Sequence, residues 1–288
     1  MMMSEASAAP TSLSPMDDIH AFWAQRWSGP VLGWHKDQVN PHLLKYTHLL
    51  LKSEEDKRLN DDSTRIFVPL CGKSADLAYL ASHPKISDVV GIDIVRDAAE
   101  GFASEHPELF IEEVQLPNEC GTETNSPKHT CGHATDNCTF RGKNFTFLIR
   151  NVFDFLYMTT EERAKHMSDG TYTFFDAIYD RASIVAIKPS QRKDYVTLMG
   201  EVLHPGGTIF LVTIDRRCTK TDEAKRDGPP FSIDEREIRQ LYESQSWVES
   251  VTLLDEVNDL TTDEERERWE KKGVLELFEI VFLIRKKN

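Results

Sequence analysis

From Arg65 onward the chain alternates short runs rich in Val, Ile and Phe with stretches of helical character. The runs are RIFVPL (65–70), DVVGIDI (88–94), NFTFLIRN (144–151), FFDAIYD (174–180), TIFLVTID (208–215) and VLELFEIVFLIR (274–285). Helical segments stand between them at 160–167, 190–203, 233–244 and 262–272. Strands of this composition alternating with helices predict an α/β domain built on a mostly parallel sheet. Ser232-x-x-Glu235 and Thr262-x-x-Glu265 read as capping boxes at two of the helix starts. No repeat period is visible, so residues 17–288 form a single expected domain.

The segment before this pattern is different. Residues 1–16 are small, polar and proline-punctuated, which predicts a disordered tail. They hold neither a basic region with an apolar core nor any arginine, so no targeting segment is expected. Ile19, Phe22, Trp23 and Trp27 follow at helical spacing as one apolar stripe. A turn is expected at Ser28-Gly29-Pro30, and Asn40-Pro41 reads as the cap and first residue of a helix. The charged stretch Lys52 to Asp62 reads as a solvated linker.

Charge narrows the function. With 48 acidic and 34 basic residues the net charge is -14. Nonspecific nucleic-acid binding needs a basic face, and so does docking on an anionic membrane; neither is expected. No apolar run reaches the roughly 18 residues of a membrane span. Five cysteines, an odd number in a long chain, make no secreted disulfide framework, so a reducing, cytoplasmic setting is expected.

Ligands of such sheets sit beyond the carboxyl ends of the strands. The first run ends in Leu70-Cys71-Gly72-Lys73-Ser74. A phosphate loop would need another glycine five positions before Gly72, where Phe67 stands. A dinucleotide fingerprint needs more glycines than this one. What remains is a single tight turn at Gly72 and, 21 residues later, Asp93 at the end of the second run. An acid there suits the two hydroxyls of a ribose, and a nucleoside without a pyrophosphate fits both facts. S-adenosylmethionine is the common cofactor of that kind.

FWAQRWSGPVLGWH (22–35), RIFVPLCGKSADLAYLA (65–81), VVGIDI (89–94), FDAIYDRASIVAIKPSQRKDY (175–195) and GPPFSI (228–233) together resemble the thiopurine S-methyltransferase family, in order along the chain. The resemblance implies a Rossmann-like class I methyltransferase fold, with a seven-stranded, mostly parallel sheet, its last strand antiparallel, and helices on both faces. It implies S-adenosylmethionine as methyl donor. Trp23, Trp27 and Trp34 fall in the segment that closes over the cofactor, and Trp34 in that family's pattern also touches the acceptor. Leu70, Gly72, Asp93, Asn151 and Val152 fall on cofactor-lining positions. Arg181 falls beside both cofactor and acceptor and is the expected catalytic residue. Pro229, Pro230 and Phe231 resemble the loop covering the acceptor.

The expected activity is S-methylation of a small aromatic or heteroaromatic thiol by a metal-free monomer. Alternatives are methylation of inorganic nucleophiles (halide, thiocyanate, selenium or tellurium species) and a non-catalytic S-adenosylmethionine-binding domain. Two departures from the family stand out. A second arginine expected near the acceptor is missing from SQSWVESVTLLDEV (244–257). An insertion from about 117 to 143 carries Cys120, Cys131, Cys138, His129 and His133, whose spacing matches no usual zinc frame, so a dispensable polar surface loop is expected.

Overall fold

The run after Arg65 becomes β1 (Thr64–Val68), and its side chains divide between two layers. Ile66 and Val68 join one buried cluster and Phe67 the other. The same period of two separates neighbours on the next strands. The structure, a computed structural model, describes residues 19–29, 35–52, 63–114, 138–167 and 174–288. The first sixteen residues and Trp34 lie outside them.

Among the described residues nine strands form one sheet. After β1 come β2 (Ile86–Asp93), β3 (Glu112–Val114), β4 (Cys138–Gly142), β5 (Phe145–Ile149) and β6 (Phe175–Arg181). The last three are β7 (Leu203–Thr219), β8 (Val248–Asn258) and β9 (Val274–Lys286). Their order is β3-β4-β5-β2-β1-β6-β7-β9-β8. The seven from β5 to β8 are the expected sheet: β5, β2, β1, β6 and β7 run parallel, and β9 is antiparallel to both neighbours. The count of nine instead of seven comes from β3 and β4, which add an antiparallel edge beside β5.

That edge corrects the reading of the insertion. Residues 115–137 lie outside the described part, but Cys138–Gly142 is a strand whose Cys138, Thr139 and Phe140 are buried. It pairs with β5 through a tight turn at Lys143 and Asn144, the latter with φ +55°. A dispensable loop must therefore end before Cys138.

The helices are α1 (Ile19–Trp27), α2 (Pro41–Tyr46), α3 (Ala75–Ala81), α4 (Arg96–Glu105), α5 (Asp154–Tyr157) and α6 (Thr160–His166). They continue with α7 (Arg192–Val202), α8 (Asp222–Arg226), α9 (Glu235–Glu243) and α10 (Asp263–Lys271). Leu43 of α2, Leu77 and Leu80 of α3 and Phe102 of α4 pack on one face. Tyr195 and Leu198 of α7 and Ile238 and Tyr242 of α9 pack on the other. Each such fully buried apolar side chain contributes about 1.5–3 kcal/mol, so these two layers hold the strand ends in place.

Local signals hold in part. Asn40 caps α2 as expected, its Oδ1 accepting from the N–H of His42 at 2.8 Å. The capping box of Thr262 and Glu265 forms, and so does an unforeseen one of Thr159 and Glu162. Ser232 does not cap α9. Asp234 does, accepting from the N–H of Glu237 at 2.8 Å, because α9 begins two residues after the expected start at 233.

Candidate active site

The carboxyl ends of β5, β2, β1, β6 and β7 open on one cavity of about 760 Å³. On its β2 side stands Asp93. One carboxylate oxygen accepts the N–H of Gly72 at 2.9 Å and the other that of Val95 at 3.1 Å. Burial pushes this carboxyl above its ordinary range, against the pull of the N–H groups of Val95, Gly72 and Ile94. Gly72 has φ +52°, a conformation side chains rarely adopt, and a Cβ there would lie 3.3 Å from the indole of Trp27. The turn and α1 are thus in direct contact.

Two non-glycine residues next to the site also take positive φ, Leu70 at 42° and Ala182 at 61°. Such conformations cost roughly 1–2 kcal/mol each and must be held by their surroundings. Cys71 N–H donates to Ile92 O at 3.0 Å and Ala182 N–H to Val212 O at 3.1 Å. Ser183 Oγ donates to Pro69 O at 2.7 Å, tying the end of β6 to the end of β1. The Gly-Lys-Ser triplet is structural: Lys73 pairs with Glu105 of α4, and Ser74 caps α3.

Asn151 and Val152 line the same cavity as Asp93. The Asn151 Oδ1 is engaged, accepting the N–H of Phe153 at 3.0 Å, and Val152 is mostly part of the core. Ile19, Trp23 and Trp27 also line the cavity, and no residue of α1 is buried. The aromatic stripe is a wall of the site and contributes little to the core.

Arg181 ends β6 and faces the cavity, and its Nε is buried without a hydrogen-bond partner among the described residues. The preceding Asp180 does not pair with it. Asp180 accepts the Tyr195 hydroxyl at 2.7 Å and the N–H of Ile184 at 3.3 Å, and burial pushes its carboxyl up to about 6. Glu279 of β9 also lines the cavity. Burial would raise its carboxyl, but His42 at 3.4 Å and the charge of Arg181 hold it below the usual value.

Pro229 and Pro230 line the cavity, whereas Phe231 is not among its lining residues. Its ring instead lies over Gly228, where a Cβ would come within 2.3 Å of it. The Phe231 N–H donates to Val185 O at 2.6 Å. Two buried arginines that sequence reasoning missed support this loop. Arg216 donates to the carbonyls of Ala224, Asp227 and Pro230 at 2.9, 2.6 and 2.7 Å. Arg192 donates to the carbonyl of Ser232 at 3.3 Å and to Glu237. Residues 244–257 hold no arginine, and Arg268 of α10 lines the cavity together with Trp269 and Lys272. Among the described residues, no three His, Cys, Asp or Glu side chains form a metal-holding group. Cys138 takes the Arg96 guanidinium at 3.2 Å, while Cys120, His129, Cys131 and His133 lie outside the described residues. No described helix is long and apolar enough to cross a membrane.

The strand order, the antiparallel β9 and a cavity at the carboxyl ends of the parallel strands define a class I methyltransferase fold. Two solved structures share it. One comes from work on the conversion of a disulfide bond into a thioacetal group during echinomycin biosynthesis. It has TM-score 0.53 and 12% identity over 92% of this chain and 90% of that chain. The other is TehB from Haemophilus influenzae, with TM-score 0.50 and 11% identity over 93% of this chain and 67% of that chain.

Residues 19–160 and 166–287 match the thiopurine S-methyltransferase (TPMT) family, and the chain belongs to it. A thiopurine S-methyltransferase of Vibrio atlanticus is 32% identical over 91% of this chain and 96% of its own length. One of Pseudomonas fluorescens is 31% identical over 77% and 80%. The chain is therefore a methyltransferase that uses S-adenosylmethionine on a small-molecule acceptor. The site fits that cofactor: the Asp93 carboxylate retains lone pairs for two hydroxyls, and the Gly72 turn and apolar walls leave room for a nucleoside.

Proposed function

We propose that this chain transfers the methyl group to the sulfur of small aromatic or heteroaromatic thiols. The observation that carries the reading is Arg181, a cavity-facing guanidinium whose buried Nε has no partner among the described residues. Arginine stays charged at any working pH, so it stabilises a thiolate over a thiol without itself giving up a proton. The cofactor, when bound, supplies a transferable methyl group on a positively charged sulfur.

The remaining residues bind, orient and exclude water. Asp93 takes the ribose hydroxyls, while Leu70, Asn151 and Val152 line the adenosyl end. Trp23 and Trp27 cover it. Pro229 and Pro230 wall the acceptor opposite Arg181. Holding an acceptor in near-attack geometry is worth roughly 7–11 kcal/mol, which makes positioning the main contribution of the protein. A site shielded from bulk water also keeps the thiolate poorly solvated.

The test is an acceptor screen with labelled S-adenosylmethionine across heteroaromatic thiols, aliphatic thiols and inorganic anions. Heteroaromatic thiols are expected to lead. Preference for halide, thiocyanate or selenium species would overturn the reading, and so would cofactor binding without transfer to any thiol.

A further inference from the structure

Methyl transfer to a thiol releases one proton for each methyl group moved. Arg181 cannot take it, since a guanidinium stays charged at any working pH. Among the described residues four acids line the cavity: Asp76, Asp93, Asp259 and Glu279. Asp93 holds the N–H groups of Gly72 and Val95, away from Arg181 at the end of β2. Asp76 accepts the N–H of Asn40 at 2.7 Å and the hydroxyl of Tyr179 at 2.9 Å. Asp259 stands 3.7 Å from the ammonium of Lys36, which can pass no proton onward as a base. His35, also on the wall, is 3.2 Å from Asp37. That leaves Glu279.

Glu279 shares a sheet face with Arg181. Arg181 pairs with Val212 of β7 and Val212 with Val281 of β9, and Glu279 lies two residues from Val281. Two strands apart is roughly 10 Å, so a small ring bound between the two side chains can touch both. The charge of Arg181 is felt at the Glu279 carboxylate. The charged and titratable groups around Glu279 are Tyr179 and Arg181 of β6, His42 of α2, and Lys36 and Asp259 from loops.

Behind Glu279 stands His42, 9% exposed, its Nε2 3.4 Å from the carboxylate. The other ring nitrogen, Nδ1, faces Asp255 of β8 at 3.7 Å. Asp255 is 23% exposed and takes the Lys45 ammonium at 2.7 Å and the Tyr46 hydroxyl at 3.3 Å. A nearly buried imidazole therefore lies between a carboxylate on the cavity and a carboxylate at the surface. An imidazole can accept a proton at one nitrogen and release one from the other. Both gaps exceed a hydrogen-bond length, as catalytic contacts often do before substrate binds.

We propose that Glu279 is the general base that deprotonates the acceptor, and that His42 carries the proton from it towards Asp255. The inference rests on the thiol-methyltransferase reading above. The acceptor's S–H bond breaks and an O–H bond forms on Glu279, which leaves the sulfur electron pair free to take the methyl group. In a thione tautomer the bond that breaks is the ring N–H. The proton then moves from Glu279 to His42 Nε2, and one leaves from Nδ1 through Asp255 to water. Arg181 stabilises the thiolate, and Glu279 removes the proton.

The test uses the full-length protein and two thiols, 4-methoxybenzenethiol and the more acidic 4-nitrobenzenethiol. The pH is set so that the first is mostly neutral and the second mostly ionised. Glu279→Gln should lower kcat/KM for the neutral thiol about hundredfold and leave the ionised one nearly unchanged. Added formate should restore much of the loss in Glu279→Ala and none of that in Arg181→Ala, because it replaces a base and not a positive charge. Rescue also shows that the variant is folded. His42 helps to hold the Glu279 carboxyl below its usual value, so in His42→Leu the fall of kcat/KM on the acid side should begin at higher pH. Equal losses for both thiols in Glu279→Gln, no rescue by formate, or an acid side unmoved in His42→Leu would overturn the inference and leave the thiol reading standing. Wild-type transfer to neither thiol would overturn that reading, and the inference with it.

Discussion

The two ends of the cavity are built by different means. At the end formed by β2, β1 and β5, the site is a backbone turn: Asp93 takes two N–H groups, Gly72 supplies the positive φ, and Leu70 follows its own strand. At the end formed by β6, β7 and β9, it is a loop and a helix brought in from far along the chain. Pro229 and Pro230 sit where they do because Arg216 and Arg192 hold the carbonyls around them. On the proposed function the first end takes the cofactor. The second is where a change of acceptor needs only new loop and helix residues, with the sheet untouched.

If the ends are separable in this way, damage to one should spare the other. Asp93→Ala should have the largest effect. Losing hydrogen bonds between a carboxylate and hydroxyls costs roughly 1.5–3 kcal/mol, so calorimetry should show S-adenosylhomocysteine binding about tenfold to hundredfold weaker. The acceptor KM at saturating cofactor should move little. Because burial raises the Asp93 carboxyl, wild-type cofactor affinity should fall as pH drops through that raised value, starting above the usual carboxylate range. Asp93→Ala should not show that fall.

Arg192→Met strikes the other end. It removes the donor to Ser232 O and to Glu237 while keeping much of the buried volume. Glu237 is 40% exposed and can turn to water, so the loss should be about 1–2 kcal/mol, seen as a Tm lower by a few degrees. Acceptor KM should rise several-fold with cofactor affinity unchanged. Parallel losses of both would mean that the ends form one unit.

The smallest expected effect concerns Asp180 beneath Arg181. Its carboxyl titrates near 6 in the folded chain, above the ordinary value of 3.8. The folded state therefore holds a proton more readily than the unfolded one. This contribution to stability is fully present below about 4 and is lost as pH rises through 6. Asp180→Asn keeps an acceptor for Tyr195 and removes the buried charge. It should change Tm by a degree or so, more favourably at pH 8 than at pH 5. The opposite order would show that the carboxylate is stabilised where it stands.

The same division governs what the sequence made legible. Gly72 and Asp93 could be read because a strand, its turn and the next strand's end are local signals, and alternating apolar runs mark β1, β2, β5, β6, β7 and β9. The strand β8 was missed because it is an edge strand whose pattern is largely polar and exposed. The strand β4 was missed because Cys-Thr-Phe-Arg-Gly is short and follows a polar stretch. Arg216 left no signal, since its hydrogen-bond partners are carbonyl oxygens, which no side-chain pattern encodes. Ser232 carried a false one. Its hydroxyl accepts the N–H of Arg216 at 2.9 Å and donates to Asp215 at 3.3 Å, so it fastens the loop to β7 and leaves the cap to Asp234.

The central claim is that Arg181 activates the acceptor by favouring its thiolate. The most direct measurement is kcat/KM against pH for two heteroaromatic thiols of different acidity, in the wild type and in Arg181→Ala. The thiol that is mostly neutral at assay pH should lose much more rate than the one already ionised. Raising the pH should restore part of that loss, because hydroxide then does what the guanidinium did, and cofactor affinity should change little. Equal losses for both thiols at every pH would contradict the account and leave Arg181 a structural residue at the end of β6.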